Sequence, residues 1–407
     1  MKKYIFGGLA IVLVGIAIFA IVNKARNERV NMVANLFSGA EQYKNFNRTA
    51  EMFPSTEMPA ADTPFEFGRG DQISLPDLFT YSGESKDIPA FLSETDTAAL
   101  LVIRNGNIVF EEYWLTGGQD VSWISWSMAK SYVSALVGIA VADGHIGSID
   151  EAITEYVPEL VGSAYDGVSI KDILQMSSGA RWNEDYSDSE SDIMRFAGIF
   201  ALGGSLNKFA ATLERERTPG TFNLYNSTDT QVLGMLLVNT TGRTIADFMT
   251  EKLWQPLGAE FQAYWLLDDE GMEMAFGGMS ATARDYAKIG ELYRLGGQFN
   301  GQQIVPADWV SASVTPDAPH LMPGKDNPAS DFALGYGYQW WIMDGDEGEF
   351  SAIGVYNQFV YVNPTRNTVI VKLSANNSYG VTLDESSYRE IETIEFFRAI
   401  NAALATP

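Results

Sequence analysis

Strand-forming sequence occurs in two blocks at opposite ends of this chain, separated by a long stretch of helical pattern. Near the start, residues 98–103 and 108–114 read as the two strands of a hairpin joined by Asn105-Gly106, a pair suited to the positive φ angles of a tight hairpin turn. Near the end, residues 337–343, 350–355, 358–362 and 368–373 read as four further strands. Between the blocks, residues 127–141 and 281–295 carry helical patterns, closed by Asp143-Gly144 and Gly296-Gly297 respectively. Residues from about 150 to 263 are mainly helical with loops, and a last helix spans about 386–403. Apolar strands must be paired and covered, so the two blocks are expected to meet. The expected fold is α+β: an antiparallel sheet built from both chain ends and flanked by helices, with a mainly helical insertion over about 150–275. A cleft between the sheet body and the insertion is where a site would lie.

The 407 residues suffice for one large domain or two closely packed ones, and 46% hydrophobic content supports a sizeable core. There is no cysteine, which removes disulfides, thiolate chemistry and a lipid-modified cysteine anchor. With only His145 and His320 besides, a zinc site is not expected. The acidic groups Asp344, Asp346, Glu347, Glu349 and Asp185, Asp188, Glu190, Asp192 lack the spacing of a calcium loop and read as solvated. No metal or other cofactor is expected. Lys and Arg total 27 against 52 Asp and Glu, a net charge of -25 that repels nucleic acid and anionic lipid.

Met1-Lys2-Lys3 precedes an uncharged apolar run over 4–22, long enough to span a bilayer and without an Ala-x-Ala pattern directly after it. Residues 1–29 are therefore expected to be an uncleaved membrane anchor, with a cleaved, secreted form as the alternative. The main domain would then be periplasmic or extracellular. Residues 30–95, punctuated by Pro54, Pro59, Pro64 and Pro76, read as a stalk and lead-in. Phe53, Phe65, Phe67 and Phe79 are apolar anchors that would hold part of it against the main domain at 96–407.

The chemistry begins with Ser127-Met128-Ala129-Lys130. Three residues along a helix returns to the same face, so the lysine amine can meet the serine hydroxyl and take its proton. Burial in so apolar a helix lowers a lysine pKa and frees the amine as a base. The tetrapeptide is weak alone: Ser205-Leu206-Asn207-Lys208 repeats the spacing in a more polar setting. Two further elements add to it. Tyr225-Asn226-Ser227 places a phenol in a turn before an apolar helix, where it can exchange protons with a lysine and deliver one to a leaving group. Ala352-Ile353-Gly354-Val355 lies on a late strand, where glycine permits close approach. The amide of Val355 could then join that of Ser127 in holding an oxyanion.

Together these three elements resemble the serine β-lactamase-like, penicillin-binding-protein-like hydrolase superfamily, whose signature is Ser-x-x-Lys, then Tyr-x-Asn/Ser, then Lys-Thr-Gly or a variant. The stretches 168–179, 219–222 and 277–285 look familial as well. Within the superfamily, Ser125-Trp126-Ser127, Trp182-Asn183-Glu184-Asp185-Tyr186 and Gly354-Val355-Tyr356-Asn357-Gln358 are most similar to class C-type esterases and 6-aminohexanoate-dimer hydrolases. The resemblance implies a β-lactamase/transpeptidase-like fold, with Ser127 as nucleophile, Lys130 as base and Tyr225 as proton shuttle. It implies substrate contacts from Tyr186, Ser227, Ile353 and Gly354. The departure is the third element, where Ala352-Ile353-Gly354 stands in place of Lys-Thr-Gly. That loss removes a charge-assisted contact to a substrate carboxylate worth roughly 1.5–3 kcal/mol. The expected activity is hydrolysis of a small ester or amide through an acyl-enzyme. D,D-peptidase or β-lactamase activity, and a non-catalytic envelope binding role, are the alternatives. An α/β-hydrolase reading fails because no Gly-x-Ser-x-Gly elbow occurs.

Overall fold

The computed structural model describes residues 41–404, together with Lys24 and Asn27. The apolar run at 4–22, read as a membrane anchor, lies outside the described residues. Among the described residues, no helix is long and apolar enough to cross a membrane.

The two strand blocks meet in one sheet. β1 (Thr97–Arg104) and β2 (Asn107–Tyr113) form the expected hairpin, with Asn105 and Gly106 at φ 51° and 75°. β3 (Phe350–Gly354), β4 (Gln358–Asn363) and β5 (Thr368–Ser374) form an antiparallel meander from the far end of the chain. β5 then pairs with β1 from Thr368 opposite Arg104 to Ser374 opposite Thr97, giving the order β3-β4-β5-β1-β2. Short strands Gly335–Tyr336 and Trp341–Ile342 extend the β3 edge, and Gly68–Arg69 pairs in parallel with β2.

Both faces of this sheet are covered, which is why its strands are almost continuously apolar. Alternate residues serve different cores: Leu101, Ile103, Val360 and Val369 face one, and Leu100, Val102, Phe359 and Ile370 the other. Four long helices matter here: α1 (Ala129–Ala142), α2 (Ser227–Thr241), α3 (Ala283–Arg294) and α4 (Glu390–Leu404). α3 lies on the first face, so close that a Cβ on Gly290 would come within 2.7 Å of Val369 and 2.8 Å of Val360. α4 covers the second face with Phe396 and Phe397, joined by Phe79 and Phe91. α1 buries every residue from Ala129 to Ala140, so it is apolar all round rather than amphipathic.

Several details depart from the sequence reading. The stretch 337–343 is not one strand. Gln339 is buried with a left-handed backbone (φ 61°), and its side chain bonds Thr230 Oγ1 at 2.6 Å and the Leu174 carbonyl at 2.8 Å. Satisfying that buried amide turns the chain and leaves only Trp341–Ile342 to pair with β3. The final helix is broken at Arg389 (φ 55°) into Glu385–Tyr388 and α4. Structure also starts before Thr97: Phe46 is fully buried between Trp123, Trp126 and Tyr356, whereas Phe53, Phe67 and Phe79 are buried as the expected anchors. A second, four-stranded antiparallel sheet was not anticipated. It joins Ser55–Met58, Ala263–Leu266, Met279–Ala281 and Trp123–Ile124 in that order, in pieces too short to show a period. The acidic groups are partly ion-paired rather than simply solvated, with Glu349 on Arg398 and Asp192 on Arg195.

Candidate active site

The two sheets converge on Ser127 from opposite sides. Strand Trp123–Ile124 of the small sheet runs straight into a 3-10 turn, Trp126–Met128, and α1 proper begins only at Ala129, two residues later than expected. The Ser125 amide donates to the Met279 carbonyl at 2.7 Å, which ties the turn to the small sheet. Trp126 is held at φ 45°, a backbone that a bulky residue adopts only under constraint from its surroundings. From the other side, the end of β3 presses on the same turn. A Cβ on Gly354 would lie 2.4 Å from the Ser125 carbonyl oxygen and 3.1 Å from the Ser127 nitrogen. Only glycine keeps β3 against the turn and leaves the space in front of the Ser127 amide open.

One turn along, Lys130 is 1% exposed, and its Nζ lies 2.9 Å from Ser127 Oγ, 3.1 Å from Ser227 Oγ and 2.9 Å from the Phe276 carbonyl oxygen. Burial pulls its pKa down from the ordinary 10.5 to about 7, against a smaller upward pull from Glu184. The hydrogen bonds explain how a neutral amine is held for use. The Phe276 oxygen can only accept, and Ser227 spends its own proton on Glu184 Oε1 at 2.6 Å. Two N–H bonds of the amine therefore point at these two acceptors, and its lone pair is left for the Ser127 hydroxyl.

Tyr225 precedes α2, with its ring 5.1 Å from Lys130 Nζ and stacked on Trp341 at 5.1 Å. It is 6% exposed, and burial and Glu184 push its pKa well above 10, with a smaller opposing pull from the Ser127 hydroxyl. It is a protonated phenol at neutral pH. Asn226, the next residue, caps α2 by accepting from the Thr228 amide at 2.8 Å. That cap fixes the turn in which Tyr225 and Ser227 straddle Lys130.

Ser127 opens onto two clefts. The larger, about 420 Å3, is lined in part by Glu184, Tyr225, Trp341, Ile353 and Gly354. The smaller, about 260 Å3, is lined in part by Ile193, Met274, Phe276 and Ser227. Ser127, Tyr186, Val355 and Tyr379 line both.

Ser127, Lys130, Tyr225, Ser227, Tyr186, Ile353, Gly354 and Val355 are thus brought together around one point. Two of the cleft-lining residues expected to meet substrate also have partners within the site. Ser227 bonds Lys130 and Glu184, so it belongs to the lysine's surroundings, and the Tyr186 hydroxyl donates to Glu184 Oε1 at 2.7 Å. The second Ser-x-x-Lys is not part of the site. Ser205 caps the short helix Leu206–Ala210, and Lys208 is exposed and paired with Glu270. Sequence reasoning missed Glu184. It accepts from the Ser227 amide at 3.1 Å, from the Ser227 and Tyr186 hydroxyls, and from Trp182 Nε1. The only signal for it was its place within Trp182-Asn183-Glu184-Asp185-Tyr186.

Comparison with known proteins agrees with this arrangement. The family model described as Beta-lactamase matches residues 90–392. The chain is 31% identical over 339 residues to a 6-aminohexanoate-dimer hydrolase of Paenarthrobacter ureafaciens, an alignment covering 81% of this chain and 84% of that one. Its fold is similar to that of a Bacillus anthracis protein provisionally named a 6-aminohexanoate-dimer hydrolase, with a TM-score of 0.80 and 21% identity over 91% of this chain and 97% of the other. A class C beta-lactamase shares the fold at a TM-score of 0.57 and 16% identity, over 79% of this chain and 95% of its own. The sheet assembled from both chain ends, the buried Ser127–Lys130 pair facing Tyr225 and the extent of the family match lead to one assignment: the chain belongs to the beta-lactamase family of serine hydrolases.

Proposed function

We propose that the protein hydrolyses an ester or amide bond through a covalent acyl-enzyme on Ser127. The observation that carries this reading is the 2.9 Å contact between Ser127 Oγ and a fully buried Lys130 amine whose pKa is about 7. Lys130 takes the hydroxyl proton as Oγ attacks the carbonyl carbon. The amides of Ser127 and Val355 receive the oxyanion. As the tetrahedral species collapses, the C–O or C–N bond breaks and Tyr225 gives its proton to the departing alcohol or amine, recovering one from Lys130. Water, deprotonated by the same pair, then attacks the acyl-enzyme and frees the acid and Ser127.

Glu184 acts through Ser227: it orients that hydroxyl so that Ser227 accepts from Lys130. Among the described residues, the larger cleft holds Glu184, Asp185, Asp331, Glu385 and Glu390 and no cationic lining residue, which disfavours substrates recognised by a carboxylate, such as penicillins. Amide cleavage is within reach of the same machinery, and the P. ureafaciens relative is named a 6-aminohexanoate-dimer hydrolase.

A fluorophosphonate probe is expected to label the protein stoichiometrically, with labelling abolished in Ser127→Ala. A folded protein that neither reacts with the probe nor turns over short p-nitrophenyl esters would sink the proposal.

A further inference from the structure

The two clefts at Ser127 are chemically opposite. Because Ser127 and Val355 line both, a carbonyl seated between them sends one arm into each. Tyr225 lines the larger cleft and not the smaller one. The group that takes the Tyr225 proton therefore departs into the larger cleft, and the acyl chain stays in the smaller one.

Among the described residues, the lining of the larger cleft includes five carboxylates, Glu184, Asp185, Asp331, Glu385 and Glu390, and no lysine, arginine or histidine. Among the described residues, none of the five forms an ion pair. Glu184, Glu385 and Glu390 spend oxygens on hydrogen bonds from Ser227, from the amides of Ile391 and Glu392, and from Tyr379 respectively. Those donors are neutral, so the charge of Glu385 and Glu390 has no cationic partner, while Glu184 faces Lys130 through Ser227. Burial pushes Glu385 and Glu390 up to about 7, and Glu390 adds to the shift of Glu385. Both carboxyls are thus poised to ionise fully when a cation arrives. Among the described residues, the smaller cleft has no charged lining residue, and Ile193, Met194, Ala197, Met274, Phe276 and Val381 supply apolar surface. General acidity of the chain does not explain this contrast, because both clefts meet at the same serine.

Resting on the hydrolase reading above, we infer that the substrate is an ester or amide whose acyl part is an uncharged apolar chain and whose leaving alcohol or amine carries a separate positive charge. The cation sits among the larger cleft's carboxylates, and the chain lies against Met274 and Phe276. Acylation transfers the Ser127 proton to the leaving group and water releases the apolar acid, so no other reactant is needed.

The test compares four esters, each rate normalised to its hydroxide-catalysed hydrolysis: hexanoylcholine, its neutral isostere 3,3-dimethylbutyl hexanoate, the hexanoyl ester of 4-hydroxybutanoate, and 3,3-dimethylbutyl 6-aminohexanoate. Hexanoylcholine should have a kcat/KM roughly tenfold above the neutral isostere, and the carboxylate-bearing ester should fall below it. The preference should shrink as salt is raised, and in Glu390→Gln and Glu385→Gln. The salt series needs no variant, so poor folding of either one does not spoil the test. Equal normalised rates for the first three esters would overturn the inference, as would a preference for the carboxylate ester or for the ammonium on the acyl arm. If the neutral ester is turned over in a Ser127-dependent way without a charge preference, only the inference falls. If no ester is turned over and the fluorophosphonate does not react, the hydrolase reading itself has failed.

Discussion

Replacing Glu184 with glutamine should move the acid limb of the pH–rate profile downward. The carboxylate reaches Lys130 through Ser227, by hydrogen bonds of 2.6 Å and 3.1 Å in series. The two charges are therefore within about 6 Å, which at an effective dielectric constant of about 20 corresponds to ~2.8 kcal/mol, or ~2 pH units. Water in the adjoining cleft screens part of this, so the expected displacement is ~1–2 units. The sign follows from the charge: Glu184 stabilises the ammonium form of Lys130, and removing it makes the amine easier to deprotonate. Since the neutral amine is the base, kcat/KM should reach its plateau at lower pH than in the wild type, whose limb should centre near 7. The assay is release of p-nitrophenol from a neutral acetate ester between pH 4.5 and pH 9, roughly the span needed to see both limbs. A neutral ester is required because Glu385 and Glu390, also held at about 7, would titrate the binding of a charged one. The glutamine amide would face the Ser227 N–H and Trp182 donors, so thermal stability should fall by ~1–3 kcal/mol. An acid limb that keeps its wild-type midpoint, or rises, in a folded Glu184→Gln protein would refute the proposed coupling between the carboxylate and the lysine.

Gly354→Ala should slow ester turnover by ~10²-fold, because its Cβ would have to push β3 or the Ser127 turn apart; a rate within a few-fold of wild type would mean that the close approach is not needed. Tyr225→Phe should slow an anilide by ~10²-fold yet leave a p-nitrophenyl ester far less affected, since p-nitrophenolate leaves without a proton; equal losses on both substrates would count against Tyr225 as the proton donor. Asp229, fully buried on α2 and bonded by Tyr165 and Ser178 hydroxyls, is raised by burial from 3.8 to about 8. A carboxyl raised on folding contributes stability that is fully present below its unfolded pKa and is lost as pH rises through its folded pKa. Wild-type stability should therefore decline between about pH 5 and pH 8 by ~3 kcal/mol more than that of Asp229→Asn, measured by denaturant melts; parallel pH curves for the two proteins would contradict it.

The fold was legible because its main signals are local. Asn105-Gly106 specifies a hairpin, almost continuously apolar strands demand cover on both faces, and a helix apolar all round, such as α1, can only be central. The small sheet was not legible, since pieces as short as Trp123–Ile124 carry no period and exist only because partners from 55–58, 263–266 and 279–281 arrive to pair with them. Gln339 shows the same limit in reverse: its stretch reads as a strand, but burial of its amide among Thr230 and the Leu174 carbonyl turns the chain.

For the site, the sequence by itself determined the reacting groups. Spacing on a helix pairs Ser127 with Lys130 whatever the rest of the fold does, and the Tyr225 and Gly354 elements distinguished that pair from the decoy at Ser205. The missing third-element lysine was also readable directly, and it pointed away from carboxylate recognition. What only the tertiary structure decided is the electrical setting of those groups. Glu184 reaches Lys130 through a serine 43 residues further along the chain, and Glu385 and Glu390 line one cleft together with Asp331 while the neighbouring cleft has no charged lining among the described residues. Coulomb energy and desolvation depend on distance and burial in space, which no linear pattern encodes, so the nucleophile could be named from the sequence while the surroundings that set its proton affinity and its partners could not.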